Sequence, residues 1–389
     1  VLGGYSQNTY PYGYQEINTI GGGFLTPTIS HVNSTSKALF GQATLDLGLF
    51  SESLDKLKFT AGYRYTWDSR HYTAFAYTTA SGRPVCTSVP VTATSGQFPN
   101  CGVKFNGKFE SPTYTLTLDY KITPNVLTYV TTRTGYKSGG FNTVINNQIP
   151  TSYAPEDLTD WEAGVKADWR LGGMPVRTNI AVYRDKYKNI QRAVYLENPQ
   201  QAGSILSYLA NAAAATIKGL EGQFTIKPVD GLTVDLSYSY MDAKYDKYLF
   251  QDLSRPGTAL QQIVDLKGRP LIYSPKNKYG LNVRYELPES GNLGRFEIYG
   301  GLSYQSHYLT TDQPQPAIYR IGNYTLMNLG ANWKNVGGKP VDIETFMTNV
   351  TNKKAIAASQ VFYYSAGAAA ASFIEPRMYG VRLRYTFGS

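Results

Sequence analysis

Charge, cysteine and histidine are all scarce in this 389-residue chain: 17% of residues are charged, two are cysteines and three are histidines. His31, His71 and His307 stand alone in the sequence, too isolated to supply a zinc set or the base of a Ser/His/Asp triad. They read as loop or rim residues, and neither catalysis nor a cofactor is expected. Long apolar runs are missing as well. No stretch of about 18 apolar residues occurs, which excludes transmembrane helices and leaves a membrane barrel open, because alternating strands give no hydropathy peak. A phosphate-cradling loop is also lacking. Gly139-Gly140-Phe141 has neither the Lys-Ser/Thr pair nor the following helix of a P-loop; it reads as a turn whose glycines take positive φ while the aromatic tips back over an interior. The chain opens at Val1 without a basic n-region or an apolar h-region, as a processed or truncated secreted product would.

What is abundant is tyrosine (33), glycine (37) and threonine, a composition that favours extended strands. The net charge of +9 comes from Lys and Arg spread at alternate strand positions. A basic interior or rim explains that spread better than a nucleic-acid surface, so no nucleic-acid partner is expected. Cys86 and Cys101 flank 14 residues of a Ser-, Thr-, Pro- and Gly-rich stretch. In an oxidising compartment they read as a local disulfide worth roughly 3 kcal/mol of loop restraint.

A period of two runs through the chain. In the terminal stretch EPRMYGVRLRYTF (375–387), Tyr379, Val381, Leu383, Tyr385 and Phe387 alternate with Gly380, Arg382, Arg384 and Thr386. The cleanest strand sets Leu57, Phe59, Ala61, Tyr63, Tyr65 and Trp67 against Lys58, Thr60, Gly62, Arg64, Thr66 and Asp68. Residues 37–49 alternate too, whereas 6–36 and 70–108 show no period and read as long loops. Alternation gives roughly 14 strands in all. Their connections sort by parity: short near 51–56, 122–125, 171–175, 228–231, 287–294 and 334–340; long near 70–108, 137–156, 190–212, 243–270, 306–322 and 353–375. That asymmetry belongs to an outer-membrane barrel, and a soluble sandwich or propeller has no reason for it. The last strand then ends on the periplasmic side, and the cysteine stretch lies outside the cell.

Six motifs in order carry a family resemblance: FTAGYRYTWDSR (59–70), TGYKSGGFN (134–142), YAPEDLTDWEAGVKADW (153–169), IKGLEGQF (217–224), MTNVTNK (347–353) and the terminal stretch. The chain resembles the C-terminal barrel portion of TonB-dependent outer-membrane receptors over nearly its whole length, as a single partial domain spanning 1–389. The resemblance implies an all-β antiparallel transmembrane barrel, with about 14 of 22 strands present and the plug domain absent, in the outer membrane of a Gram-negative bacterium. It implies uptake of a scarce ligand, most often a ferric siderophore, driven by TonB-ExbB-ExbD through the plug. The remaining implied partners are outer-membrane lipid and, through the terminal strand, the barrel-assembly machinery. A passive porin and a purely structural or adhesive barrel share the alternation and remain as alternatives.

Two residue sets are candidates for function. Arg64, Glu162, Lys166, Asp168, Glu221, Arg284, Glu344, Arg382 and Arg384 fall on the polar faces of their strands, as a lumen wall would require. Tyr72, Tyr77, Arg83, Tyr136, Lys137 and Phe141 lie near the extracellular ends and suit a flat, anionic ligand. With the last strand pairing on one side only, against 341–350, an open curved sheet is expected.

Overall fold

Strands with one apolar and one polar face need a register that keeps the faces continuous from neighbour to neighbour, since a slip of one residue would invert a whole strand. The computed structural model describes all residues except 12–14, 22–23, 81–82, 87–102, 143–149, 198–204, 252–262, 290, 313–319, 363–367 and 388–389. Its main sheet has 17 strands. They are β1 (Leu2–Thr9), β2 (Gln15–Gly21), β3 (Phe24–Asp46), β4 (Leu57–Ala80), β5 (Arg83–Cys86), β6 (Val103–Thr123), β7 (Val126–Lys137), β8 (Glu156–Leu171) and β9 (Met174–Glu197). There follow β10 (Ile205–Ile226), β11 (Leu232–Gln251), β12 (Ile263–Asp265), β13 (Asn277–Glu286), β14 (Arg295–Gln305), β15 (Tyr324–Lys334), β16 (Val341–Thr348) and β17 (Met378–Tyr385).

All pairings are antiparallel. The division into 17 strands rather than roughly 14 arises because β1 and β2 both lie along β3, while β5 and β12 are short flaps on β4 and β11. The other strands follow one another across the sheet to β17, which pairs with β16. Among the described residues, no ladder joins β17 to β1 or β2.

The register keeps both faces unbroken. One row runs Leu45, Phe59, Leu118, Val130, Ala163, Val182, Leu220 and Tyr240, each opposite the next. This apolar face is uncovered: Val130 is 50% exposed and Trp161 56%. In water so large an apolar surface would aggregate, whereas hydrocarbon accepts it. The adjoining row on the other face runs Thr44, Thr60, Thr117, Thr131 and Glu162. Its threonine hydroxyls bond across strands, Thr44 to Thr60 at 2.9 Å and Thr117 to Thr131 at 2.7 Å.

At one end the turns are tight. The β8–β9 hairpin turns on Gly172 (φ 55°) and Gly173 (φ 91°), a left-handed pair that only glycine adopts freely. Residues 37–49 do not continue as one strand. β3 ends at Asp46, whose carboxylate accepts from the Gly48 N–H at 3.1 Å, and Leu47–Leu49 forms a 3₁₀ turn. At the other end the strands run far past the roughly 9–11 residues that cross a bilayer. β3, β4, β9 and β10 have 23, 24, 24 and 22 residues. Stretches within 6–36, 70–108, 190–212 and 243–270, expected as loops, are therefore extended hairpins. Beyond the membrane both faces are wet, so the ladder's hydrogen bonds hold the strand without any apolar alternation to announce it.

Candidate binding site

All nine residues expected on the polar wall share one face. The register carries that face from Arg64 on β4 through Thr113, Thr131 and Glu162 to Glu221 on β10, then by Thr233 to Arg284 and onward to Glu344, Arg382 and Arg384. Four of these nine charges are ion-paired across strands. Arg177 donates to both carboxylate oxygens of Asp168, at 2.7 and 3.2 Å. Arg382 meets Glu344 at 2.6 Å. Arg133 bridges Glu162 and Asp160, while the Tyr129 hydroxyl donates to Glu162 at 2.7 Å. Lys166 lies 5.5 Å from the Tyr129 ring centre and Arg64 5.3 Å from that of Tyr5. With five basic and four acidic residues among the nine, the wall is polar without carrying a strong field of either sign. A groove of about 700 Å³ at its short-turn end is lined by charged residues of both signs, among them Lys58, Asp119 and Lys166.

At the long-hairpin end the same face carries aromatics. Tyr72 of β4 and Phe105 of β6 are direct cross-strand partners, with ring centres 6.2 Å apart. Phe141 folds onto them at 6.1 Å from Tyr72 and 5.6 Å from Phe105, with interplanar angles near 20°. Phe109 closes the group at 6.5 Å from Phe141. Tyr72 is only 3% exposed. Burial pushes its hydroxyl up to about 12, with Ser30 opposing the shift. It supports the group from beneath, leaving the half-exposed Phe105 and Phe141 as the accessible rings.

Gly139 and Gly140 do not take the positive φ expected of them. Their role is clearance. A Cβ on Gly139 would lie 2.4 Å from the Tyr153 carbonyl oxygen and 2.5 Å from the Phe109 ring, and one on Gly140 2.4 Å from the Tyr153 hydroxyl. Gly107 likewise makes room for Phe141, whose ring would be 2.8 Å from an added Cβ.

Side-chain amides, two of them buried, fix this loop. Asn142 donates to the carbonyls of Pro150 and Leu209 at 2.8 and 3.0 Å and accepts from the Leu209 N–H at 2.7 Å. Gln191 donates to the carbonyls of Ser138 and Ala154, and Asn211 to those of Ala154 and Asn189. Around the rim, Tyr136 donates to Asp68. Lys137 pairs with buried Glu156 at 3.2 Å. Of the six residues expected to capture ligand, Tyr72 and Phe141 are thus brought into contact, and Tyr136 and Lys137 stand nearby, each with an acidic partner. The side chains of Tyr77 and Arg83 lie outside the described residues. So does Cys101, and with it the expected disulfide to Cys86. Phe105 was missed because 70–108 reads as loop, and Phe109 because it follows directly on that stretch; their spacing around Gly107, with Tyr72 upstream, was the available signal.

A second cluster steadies the neighbouring hairpins. Tyr245 and Tyr248 of β11 pack with Ile190, Leu266 and Leu271, and the Tyr245 hydroxyl donates to the buried Asp312 carboxylate at 2.8 Å. Burial raises the Asp312 carboxyl, against the opposing effects of that hydrogen bond, Arg192 and Arg269. A raised folded-state pKa stabilises fully below the ordinary Asp value and is lost as pH rises through the raised one. Docking of 306–312 should therefore loosen as pH rises through that window, with Asp312→Asn flattening the response. Tyr245→Phe, which strips the carboxylate of its donor, should cost about 1–3 kcal/mol of local stability. Hydrogen exchange at 306–312, corrected for intrinsic rates, checks both outcomes.

Residues 1–352 match the family model described as TonB dependent receptor-like, beta-barrel. Among solved structures the chain is similar to the ferric yersiniabactin uptake receptor FyuA from Yersinia pestis, with a TM-score of 0.73 at 16% identity over 100% of this chain and 51% of that one. It is also similar to the siderophore receptor PiuA from Acinetobacter baumannii, with a TM-score of 0.62 at 18% identity over 92% of this chain and 44% of that one. The ferric-catecholate import receptor Fiu from E. coli gives 0.61 at 14% identity over 98% and 50%. The chain spans about half the length of these structures.

Proposed function

The chain belongs to the TonB-dependent receptor-like β-barrel family, a family of receptors and transporters rather than enzymes in the Gram-negative outer membrane, and from that premise we propose that it captures a ferric siderophore and admits it with TonB energy. The observation that carries this reading is the aromatic group at the long-hairpin end of the polar face. Phe105 and Phe141 offer flat apolar surface to a chelator's rings. The wall below, with charges of both signs, suits a passage in which a ligand binds and then leaves, because a strong field of one sign would hold it.

Uptake of radiolabelled ferric catecholate and hydroxamate chelates by cells producing this receptor, with TonB intact or deleted, tests the proposal. Saturable uptake that collapses without TonB is expected. Undiminished uptake in the deletion would point to a passive porin, and no uptake of any chelate to an adhesive barrel. Phe141→Ala should weaken chelate binding about tenfold, as the loss of a stacking ring does. Equal binding by that variant would remove the aromatic group from the site.

A further inference from the structure

Two of the three histidines, isolated in the sequence and expected in loops or at a rim, lie in strands that bring them together. In the β3–β4 ladder His31 stands opposite Thr73 and Asn33 opposite His71, so the two imidazoles are diagonal neighbours, a spacing that long side chains bridge. Asn106 of β6 follows opposite His71, and Lys104 opposite Thr73. These residues share the parity of Phe59 and Trp67, which puts them on the side of the sheet away from the polar wall. Trp67 ends the apolar row of β4, and His71 lies roughly 13 Å further along the strand, past the apolar band on the long-hairpin side.

Each ring is held through one nitrogen. The Asn106 side-chain oxygen is 2.7 Å from His71 Nδ1, and the Pro11 carbonyl oxygen is 3.3 Å from His31 Nε2. Both oxygens accept, so those nitrogens carry the protons and the ring lone pairs fall to His71 Nε2 and His31 Nδ1. Metal-binding imidazoles are oriented in this way, one nitrogen donating to a fixed oxygen while the other ligates. Between them in the ladder lies a third donor atom. Asn33 Oδ1 is buried and has no hydrogen-bond partner among the described residues, a state that costs stability until something satisfies it.

We propose that His31, His71 and Asn33 form a binding site for a divalent transition-metal ion, with Cu²⁺ preferred. Two imidazole nitrogens and a neutral amide oxygen suit copper, nickel or zinc, whereas the rows that carry them hold no carboxylate of the kind Mg²⁺ and Ca²⁺ require. His71 is exposed, so the ion enters from solvent and keeps water in its remaining positions. Asn106 and the Pro11 carbonyl act as positioning groups. The aromatic group of Tyr72, Phe105 and Phe141 lies on the other side of the sheet, and the siderophore reading neither supports this site nor depends on it.

The probes are Cu²⁺ and Ni²⁺ alone, titrated into the tag-free full chain in neutral detergent with its thiols alkylated. One equivalent should bind, Cu²⁺ more tightly than Ni²⁺ and Mg²⁺ not measurably. The electron paramagnetic resonance spectrum of bound Cu²⁺ should show coupling to two imidazole nitrogens. His31→Ala and His71→Ala should each weaken Ni²⁺ binding by about tenfold or more, and His307→Ala should leave it unchanged. Asn33→Asp, which places a charged oxygen where the amide oxygen was, should tighten it by about threefold or more. A wild-type spectrum with one coupled nitrogen or none overturns the proposal without recourse to any variant. Unchanged Ni²⁺ affinity in either of the first two variants, an equal loss in His307→Ala, or no gain in Asn33→Asp would overturn it as well.

Discussion

Gly139→Val should lower affinity for a flat ferric chelate by at least tenfold while leaving the sheet's circular dichroism unchanged. An added Cβ at this position falls 2.4 Å from the Tyr153 carbonyl oxygen and 2.5 Å from the Phe109 ring. The first is backbone and cannot swing aside, so the 139–141 segment must move, carrying Phe141 off Tyr72 and Phe105. Overpacking of this kind costs about 1–3 kcal/mol. Gly135, four residues before the start of that segment, provides the contrast: nothing lies within 4 Å of a Cβ built there, and Gly135→Ala should bind as wild type does. Fluorescence quenching by a ferric chelate reads both variants. Were Gly135→Ala as damaging as Gly139→Val, general loop disturbance rather than placement of Phe141 would be the cause.

The second large effect is expected at Asn349, the residue that ties the end of β16 to the approach of β17. It is 4% exposed and sits at φ 46°, in the left-handed region that asparagine tolerates better than most residues. Its side-chain amide donates to the carbonyls of Lys353 and Glu375, each at 2.9 Å, and its side-chain oxygen accepts from the Lys353 N–H at 2.7 Å. Asn349→Ala strands these buried groups and should cost on the order of 3 kcal/mol. Asn349→Asp should be worse, since it turns a carboxylate oxygen toward two carbonyls. Because β17 pairs only with β16 among the described residues, the loss should appear as faster hydrogen exchange across Met378–Tyr385 and easier proteolysis within 353–375. An aspartate variant as stable as wild type would show that the two carbonyls are held by something other than this amide.

The membrane-crossing part of the fold was legible because one of its faces must be apolar throughout. Every residue assigned to the polar wall from alternation alone, from Arg64 to Arg384, lies on one continuous face. Which of them would meet was not legible: the pairs Asp168–Arg177 and Glu344–Arg382 depend on register between strands. Outside the bilayer the signal fades. Ser34, Thr35 and Ser36 lie in β3 opposite Arg70, Ser69 and Asp68, in a stretch where neither face is buried in lipid and period two carries no information. For the same reason Tyr72 was recognised as an aromatic near the site, while its near-complete burial and its partner Phe105 were not. Glycines at 139 and 140 were read as conformational needs, but the crowding that requires them comes from Phe109 and Tyr153, residues distant enough in sequence to be brought there only by the fold.

The two tryptophans of β8 set a length. Trp161 and Trp169 point to the same side, eight residues apart, with only Ala163, Val165 and Ala167 between them on that face. At 3.3 Å per residue they are about 26 Å apart along the strand, and tilting by about 45° leaves roughly 19 Å across the bilayer. A hydrophobic thickness that small fits a thin membrane. In a thicker one the indoles would be drawn below the interface or the lipid would have to compress around the protein, at a cost of a fraction of a kcal/mol for every ångström of mismatch. The short alanine-rich interval on β8 thereby favours thin bilayers over thick ones, independently of any sorting signal.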